Sequence, residues 1–553
     1  MHPYVRERFS DEETDVLRRY FTSIDGPVFA LVNLPEVVKG ALFARYSRSA
    51  KSLRRLFLDE FVGDLDISGD LTVDATVGLR RAEELYDRIF LEYGDDSVAQ
   101  LGGVHLACEQ ASNLLTKVLE RSRLMAYLEQ STRYVAYDSR LTSGHYRYFR
   151  DPAILESSLG ARYVGEMDRM FDTYAALVPV VQAWLTRRYP KASSDPDLAY
   201  RQSIRAKAFD ALRGLLPAGS LSNVGIYGTG QSYELLLLHM RAHPLPEARF
   251  YAELVLEELR KAIPSFLKRV DRQDRGGQWS AYLAANRAAM DDLAGRLFPK
   301  GEAGEAGAGD LPTPVTLVDF DPDGENKMIA AMLYPHTDLA ESELAEQVTR
   351  MSADDRRQVV RTYVGDRVNR RHRPGRALER TSYRFDVVSD YGAFRDLQRH
   401  RMLTIEWQPL DTRLGYDVPD AAVEAGVAPA FEESMVRSAT LHDALAPPFP
   451  QQAPYAAALA FRVRYVMQMN VREAMHVLEL RSGSQGHPAY RAVVRDMHRL
   501  IGDQAGHHAV AEMMRFVDHD DQADNGLGRL EAARRTEARR VEERPRHPAR
   551  PAR

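Results

Sequence analysis

Most of the chain places apolar residues at helical spacing, and only a few short runs alternate with a period of two. In the first half this pattern predicts helices over 35–45, 51–61 and 79–93, and a longer one over 107–126. The second half opens differently. Residues 315–320, Val-Thr-Leu-Val-Asp-Phe, alternate like a strand, and Asp321-Pro322-Asp323-Gly324 is turn chemistry. Helices are expected next over 327–333, 341–351 and 353–369.

The stretch 300–314, with Gly-Glu-Ala-Gly-Glu-Ala-Gly at its core, has almost nothing to bury and reads as a linker. It separates a first unit, 1–299, from a second, 315–520. From 521 to 553 the sequence is charged and ends in Pro-Ala-Arg, which predicts a disordered tail.

The two units share an ordered set of features. Each carries a helical segment ending in Arg-x-Arg, then a loop, then a strand-like run; Arg401 lies 278 positions after Arg123. Each later carries a helix ending in arginine, Gly-Gln-Ser-Tyr-Glu to Arg241 in one and Asn-Val-Arg-Glu-Ala to Arg481 in the other. Two correspondences in the same order imply a duplication.

The motif residues resemble those of the flavin-dependent thymidylate synthases. That family's Arg-His-Arg signature is matched by Arg399, His400 and Arg401, with Thr404 in the place of its first serine, while Glu406-Trp407 and Pro409 replace the rest. The first unit shows the reverse pattern. It keeps Arg121, Arg123, Glu129, Ser131 and Arg133 but has Ser122 for the histidine, Ala126 for the first serine and Leu128 for the asparagine. The later helical signature is complete as Asn470, Arg472, His476 and Arg481, whereas its first-unit positions read Gly230, Ser232, Leu236 and Arg241. An acidic residue three before an arginine occurs as Asp210 and Arg213, with Pro447 to Pro454 as the matching second-unit stretch.

The resemblance implies an α+β fold of two tandem units, with long helices packed on a mainly antiparallel sheet. It implies FAD as cofactor, NADPH and methylenetetrahydrofolate as co-substrates, and methylation of dUMP to dTMP. Glu129, Ser131, Arg133, Arg213 and Arg481 would take the nucleotide, with Arg481 catalytic through the uracil carbonyl. Arg399, His400, Arg401, Thr404, Asn470, Arg472 and His476 would take the flavin. A tetramer of single units would correspond to a homodimer of this double chain. The departures at Trp407 and Pro409 keep open a paralogue acting on another pyrimidine nucleotide, and loss of flavin would leave a non-catalytic nucleotide-binding or scaffold protein.

Composition narrows this picture. At 553 residues, with 44% hydrophobic and 28% charged, the chain has enough apolar material for more than one core. A net charge of −5 gives no global field for nucleic acid or anionic membranes, so an anionic ligand must meet a local arginine cluster. No apolar run approaches membrane-span length and the charged start is not a signal peptide, so a cytoplasmic location is expected. The single cysteine, Cys108, falls in an apolar, helix-like stretch and is expected to be a buried small hydrophobe rather than a nucleophile. No metal-ligand set is expected.

Taken singly, these residues have plainer readings. Arginines at helix C-termini complement the helix dipole, Ser131 suits a turn, and a helical histidine such as His476 often packs. The arginine-rich run through Arg367 and Arg380 is expected to be a solvated face.

Overall fold

The protein is described here from a computed structural model covering residues 100–298 and 313–520 continuously, with parts of 7–62 and of 526–534. The helix expected over 79–93, nearly all of the 300–314 linker and the end of the tail lie outside the described residues.

Strands β1 (Gly103–Ser112), β2 (Ala126–Glu129) and β3 (Leu221–Thr229) form a sheet in the order β1-β3-β2. Strands β4 (Val315–Phe320), β5 (Ser382–Asp390), β6 (Thr404–Trp407) and β7 (Arg462–Asn470) form a second sheet in the order β4-β5-β7-β6. The second order repeats the first with β4 added at its edge. β2 pairs with β3, β4 with β5, and both β5 and β6 with β7, all antiparallel. The helices also correspond: Asn113–Leu119 matches Tyr391–Gln398, Gly230–Arg241 matches Val471–Arg481, and Pro246–Ala262 matches Pro488–Asp503.

Sequence alternation explains β7. Val463, Tyr465, Met467 and Met469 are buried, and the residues between them are half-exposed. Each such burial contributes about 1.5–3 kcal/mol. The helix Pro488–Asp503 covers β4 and β5 through Tyr490, Val493, Val494, Met497 and Ile501, one stripe at helical spacing.

Two predicted helices are shorter than expected. Residues 103–112 are a strand, not the start of the helix expected over 107–126, and the helix there spans only Asn113–Leu119. Ser112 Oγ accepts the Leu115 N–H at 3.0 Å, so a serine cap marks where strand becomes helix. The helix expected to reach 369 stops at Val364, because Gly365 adopts φ +62° and turns the chain away. Cys108 therefore sits on a strand, buried as expected.

Compactness divides the chain into residues 1–109, 118–129 and 223–305 in one unit and 110–117, 130–222 and 306–553 in the other. One changeover, at 305/306, falls within the 300–314 segment. The others cut the first repeat, so residues 130–222 belong to the compact unit built on the second.

Within that unit, equivalent segments of the two repeats meet. β7 begins 241 positions after β3, and at the same offset Ala458 corresponds to Pro217, with which it forms an antiparallel bridge. Ala218 N donates to Ala457 O at 2.8 Å, and its counterpart Leu459 N donates to Leu216 O at 2.9 Å. Gly219 N to Tyr455 O and Ala460 N to Gly214 O form the next such pair, at 2.9 and 3.0 Å. This reciprocity is the mark of an isologous contact, here between two repeats of one chain. Gly214 and Gly219 permit the approach, since a Cβ on either would lie 3.0 Å from Ala460 Cβ or Tyr455 O respectively. The second-unit counterpart of the stretch Asp210 to Pro217 is thus Gln451 to Ala458, shifted from the expected Pro447 to Pro454.

Beyond Asp520, the described residues pack instead of trailing in solvent. Leu527 and Leu530 are buried, and Arg534 holds Asp195 through two hydrogen bonds of 2.7 and 2.8 Å. No helix among the described residues is long and apolar enough to cross a membrane.

Candidate functional site

Asp390 ends β5, and its Oδ1 accepts the Ala393 N–H at 2.9 Å, which starts the helix Tyr391–Gln398. That helix carries Asp396 inward and delivers Arg399, His400 and Arg401 at its C-terminal end. Asn470 ends β7 and caps the next helix by accepting the Glu473 N–H at 2.9 Å. In the first repeat the matching cap is Thr229, whose hydroxyl accepts from Ser232 N, so the cap is kept one residue before Gly230.

His400 lies buried between the two helix ends. Arg481 Nε donates to its Nε2 at 2.9 Å, which puts the imidazole proton on Nδ1, facing Glu473 Oε1 at 3.6 Å. Burial, then the charge of Arg481, pushes the His400 pKa down to about 3. The His476 ring stands edge-on to it at 5.3 Å, and burial with the neighbouring imidazole pushes its pKa down to about 4. Arg373 Nη2 lies 2.9 Å from His476 Nδ1. Arg472 pairs with Glu379 at 3.1 Å. His400, Glu473 and His476 offer three ligand-type atoms within 4.8 Å of one another, a grouping not expected from spacing. The guanidinium groups of Arg481 and Arg373 against the two imidazoles oppose a divalent cation there.

The first-repeat candidates converge on the same region. The Arg133 N–H donates to Ser131 Oγ at 3.2 Å, a turn that sets the direction of its side chain. The Arg133 guanidinium grips Asp210 through two bonds of 2.5 and 2.6 Å and reaches the Tyr490 hydroxyl at 3.2 Å and Gln485 O at 3.1 Å. Arg481 reaches the same tyrosine, its guanidinium carbon 5.5 Å from the Tyr490 ring centre. Arg213, buried at the end of the helix Asp197–Leu212, donates Nη1 to Asp396 at 3.0 Å. Its Nε and Nη2 are buried without a hydrogen-bond partner among the described residues. Gly392 makes room for them, since a Cβ there would lie 3.1 Å from both nitrogens.

Charge is concentrated here. Burial alone would raise the Asp396 carboxyl, but Arg213, then Arg481, Arg399 and Arg133, hold it far below the carboxylate range. Asp210 is likewise kept ionised against burial by Arg133. Asp390, buried with weaker compensation from Arg213, is pushed up to about 6. His487 accepts from Ala489 N on Nδ1 at 3.3 Å, so its Nε2 donates to Asp210 O at 3.1 Å, and burial pushes its pKa down to about 3. Arg133, Asp210, Arg213, Asp390 and His487 line one cavity of about 940 Å³, ample for a small ligand.

Not every candidate joins this cluster. Thr404 is exposed on β6 opposite Gln468, Arg401 is half-buried beyond the helix end, and Glu129 is buried at the end of β2. Arg241, the first-repeat counterpart of Arg481, is engaged by Glu253 at 2.8 and 3.0 Å and by Asp271 at 3.2 Å. Asp390, Asp396, His487 and Tyr490 were not singled out in the sequence. The other seven positions of the helix that carries Asp396 are all buried, and its sequence offers only the pair of charges Arg395-Asp396 as a signal.

A family model described as "Thymidylate synthase complementing protein" matches residues 46–265 and again 316–507. A "UPF0159 protein" of Chlamydia muridarum is 38% identical over 536 residues, covering 96% of this chain and 99% of its own length. One from Thermoplasma acidophilum is 31% identical over 521 residues, covering 89% of this chain and 97% of its own.

Proposed function

Because the chain belongs to the thymidylate synthase complementing protein family, which matches it twice in tandem, we propose that it is an FAD-dependent enzyme that methylates dUMP at a site composed from both repeats. Methylenetetrahydrofolate and NADPH are the co-substrates in this reading. The observation that carries it is the meeting of Arg133 and Arg213 from the first repeat with Asp396, Arg481 and Tyr490 from the second.

The arginine fork suits phosphate oxygens. Arg213 presents two buried N–H groups that no atom of the described residues satisfies, and it lines the cavity with Arg133. A buried donor left unsatisfied costs about 1–3 kcal/mol, so an anionic oxygen supplied by a nucleotide would relieve that cost. Arg481 would stand against the uracil carbonyl and stabilise negative charge arising there. Neutral His400 accepts from its Nε and fixes the direction of the guanidinium.

Flavin suits the donor set on the second repeat, where Arg373, Arg399 and Arg472 accompany two neutral imidazoles near the helix Val471–Arg481. When bound and reduced, FAD supplies the hydride and carries the one-carbon unit, which requires no protein nucleophile. Arg399, His400, Arg401, Thr404, Arg472 and His476 would hold it, and Asn470 would keep their helix capped.

The test is the visible spectrum and dUMP affinity of Arg133→Ala and Arg401→Ala. Arg133→Ala should lose dUMP and keep the flavin spectrum, and Arg401→Ala should do the reverse. If neither change alters either property, the composite site is refuted. Light scattering should find a homodimer, and a strict monomer at micromolar concentration would count against it.

A further inference from the structure

The family match ends at residue 507, yet Gly526, Leu527 and Gly528, beyond it, line the cavity read above as the nucleotide's. The turn that follows the match is gripped first: Arg495 donates to Asp518 O and Asp520 O, both at 2.8 Å, and Asp518 N donates to Ser482 Oγ at 2.9 Å. Further on, Gly526, Leu527 and Gly528 line the same cavity as Arg133, Arg213 and His487. Lys207 Nζ donates to Gly526 O at 3.0 Å. Gly528 lies so close to the backbone of Ser484 that a Cβ would come within 2.4 Å of its carbonyl oxygen. Leu527 and Leu530 are 8% and 3% exposed, so they anchor the segment by burial. Arg534 closes it with the two-point bond to Asp195, whose side chain is 1% exposed.

The contact with Ser484 matters because the next residue, Gln485, offers its carbonyl to Arg133 Nη2, and His487 follows two positions later. Seating the segment therefore supports both a cavity wall and the loop that orients the phosphate-side arginine.

We propose that the described residues Gly526, Leu527, Gly528, Leu530 and Arg534 act as a strap that completes the nucleotide site and sets its affinity, latched by Arg534 on Asp195. This rests on the nucleotide reading given above. The strap supplies shape and backbone rather than charge to the ligand, so its loss weakens binding more than turnover.

The full chain carrying Arg534→Glu tests this, with Asp195→Arg added in a second protein to restore the pair in reverse. Arg534 is half-exposed, so the expected rise in the dUMP dissociation constant is modest, roughly three- to tenfold, with kcat little changed. Hydrogen exchange at 484–487 should quicken in Arg534→Glu, and both effects should revert in the double variant. Faster exchange without any change in dUMP affinity overturns the proposal, as does exchange at 484–487 that does not change. If the unaltered chain binds no dUMP, the nucleotide reading fails. Exchange at 484–487 in Arg534→Glu then decides the strap alone, a change supporting it as a cavity wall and constancy overturning it.

Discussion

Arg213 of the first repeat donates to Asp396 of the second at 3.0 Å, with the two side chains 5% and 14% exposed. The pair ties motifs of the two repeats into one electrostatic centre, because Arg133, Arg399 and Arg481 also bear on Asp396.

Asp396→Asn removes the anion that balances this cluster. Removing one member of a buried ion pair costs about 3–5 kcal/mol, and a urea denaturation curve should show a loss of that order. A loss below about 1 kcal/mol would mean that the pair is solvated in practice.

Acid stability follows from three imidazoles, His400 buried and His476 and His487 half-buried. His400, His476 and His487 have folded pKa values pushed down to about 3, about 4 and about 3, against about 6.5 unfolded. Between these limits the unfolded chain binds more protons, so stability rises with pH and is lost as pH falls from about 6.5 toward 4. Asp390, raised to about 6, has the opposite sign, since below that pH the folded state holds the extra proton. Glu473, raised by burial, adds to Asp390, but His243, pushed down to about 4, and the lowered His239, His498 and His507 join the three imidazoles, so the lowered histidines outnumber the raised carboxyls and leave a net fall on acidification. Melting temperature against pH should show it, with a shallower slope in His487→Gln.

The two equivalent arginines should differ. Arg481→Ala is expected to lower kcat by about 100-fold, the usual scale for losing a charge-stabilising donor. Arg241→Ala should leave turnover intact and cost at most about 1 kcal/mol, because its carboxylate partners are well exposed. Steady-state kinetics and melting of the two variants check this, and equal effects on turnover would contradict it.

Burial pushes the Cys108 thiol up to about 12, so iodoacetamide at pH 8 should leave the native protein unlabelled. Cys108→Ala should retain full turnover. Loss of activity with the fold intact would revive a cysteine-dependent mechanism.

The sequence by itself determined the repeats, the strand at 315–320, and the helices that end in Arg241 and Arg481. These depend on period and end signals that are local in the chain. It misjudged 107–126, where sheet pairing and the Ser112 cap outweigh apolar spacing, and it placed Asn470 among the ligands without seeing its cap. Only the tertiary structure decided which of the two arginine sets meets which carboxylate. Asp396 and Arg213 are 183 residues apart, and while the signature around Arg481 is complete and that around Arg241 is not, only the fold shows that Arg481 donates to a neutral histidine and that Arg241 is occupied by Glu253 and Asp271. The packing of Leu527, Leu530 and Arg534 was hidden for the same reason: a charged tail is solvated unless some distant surface offers it a pocket and a buried carboxylate, and here that surface includes Asp195.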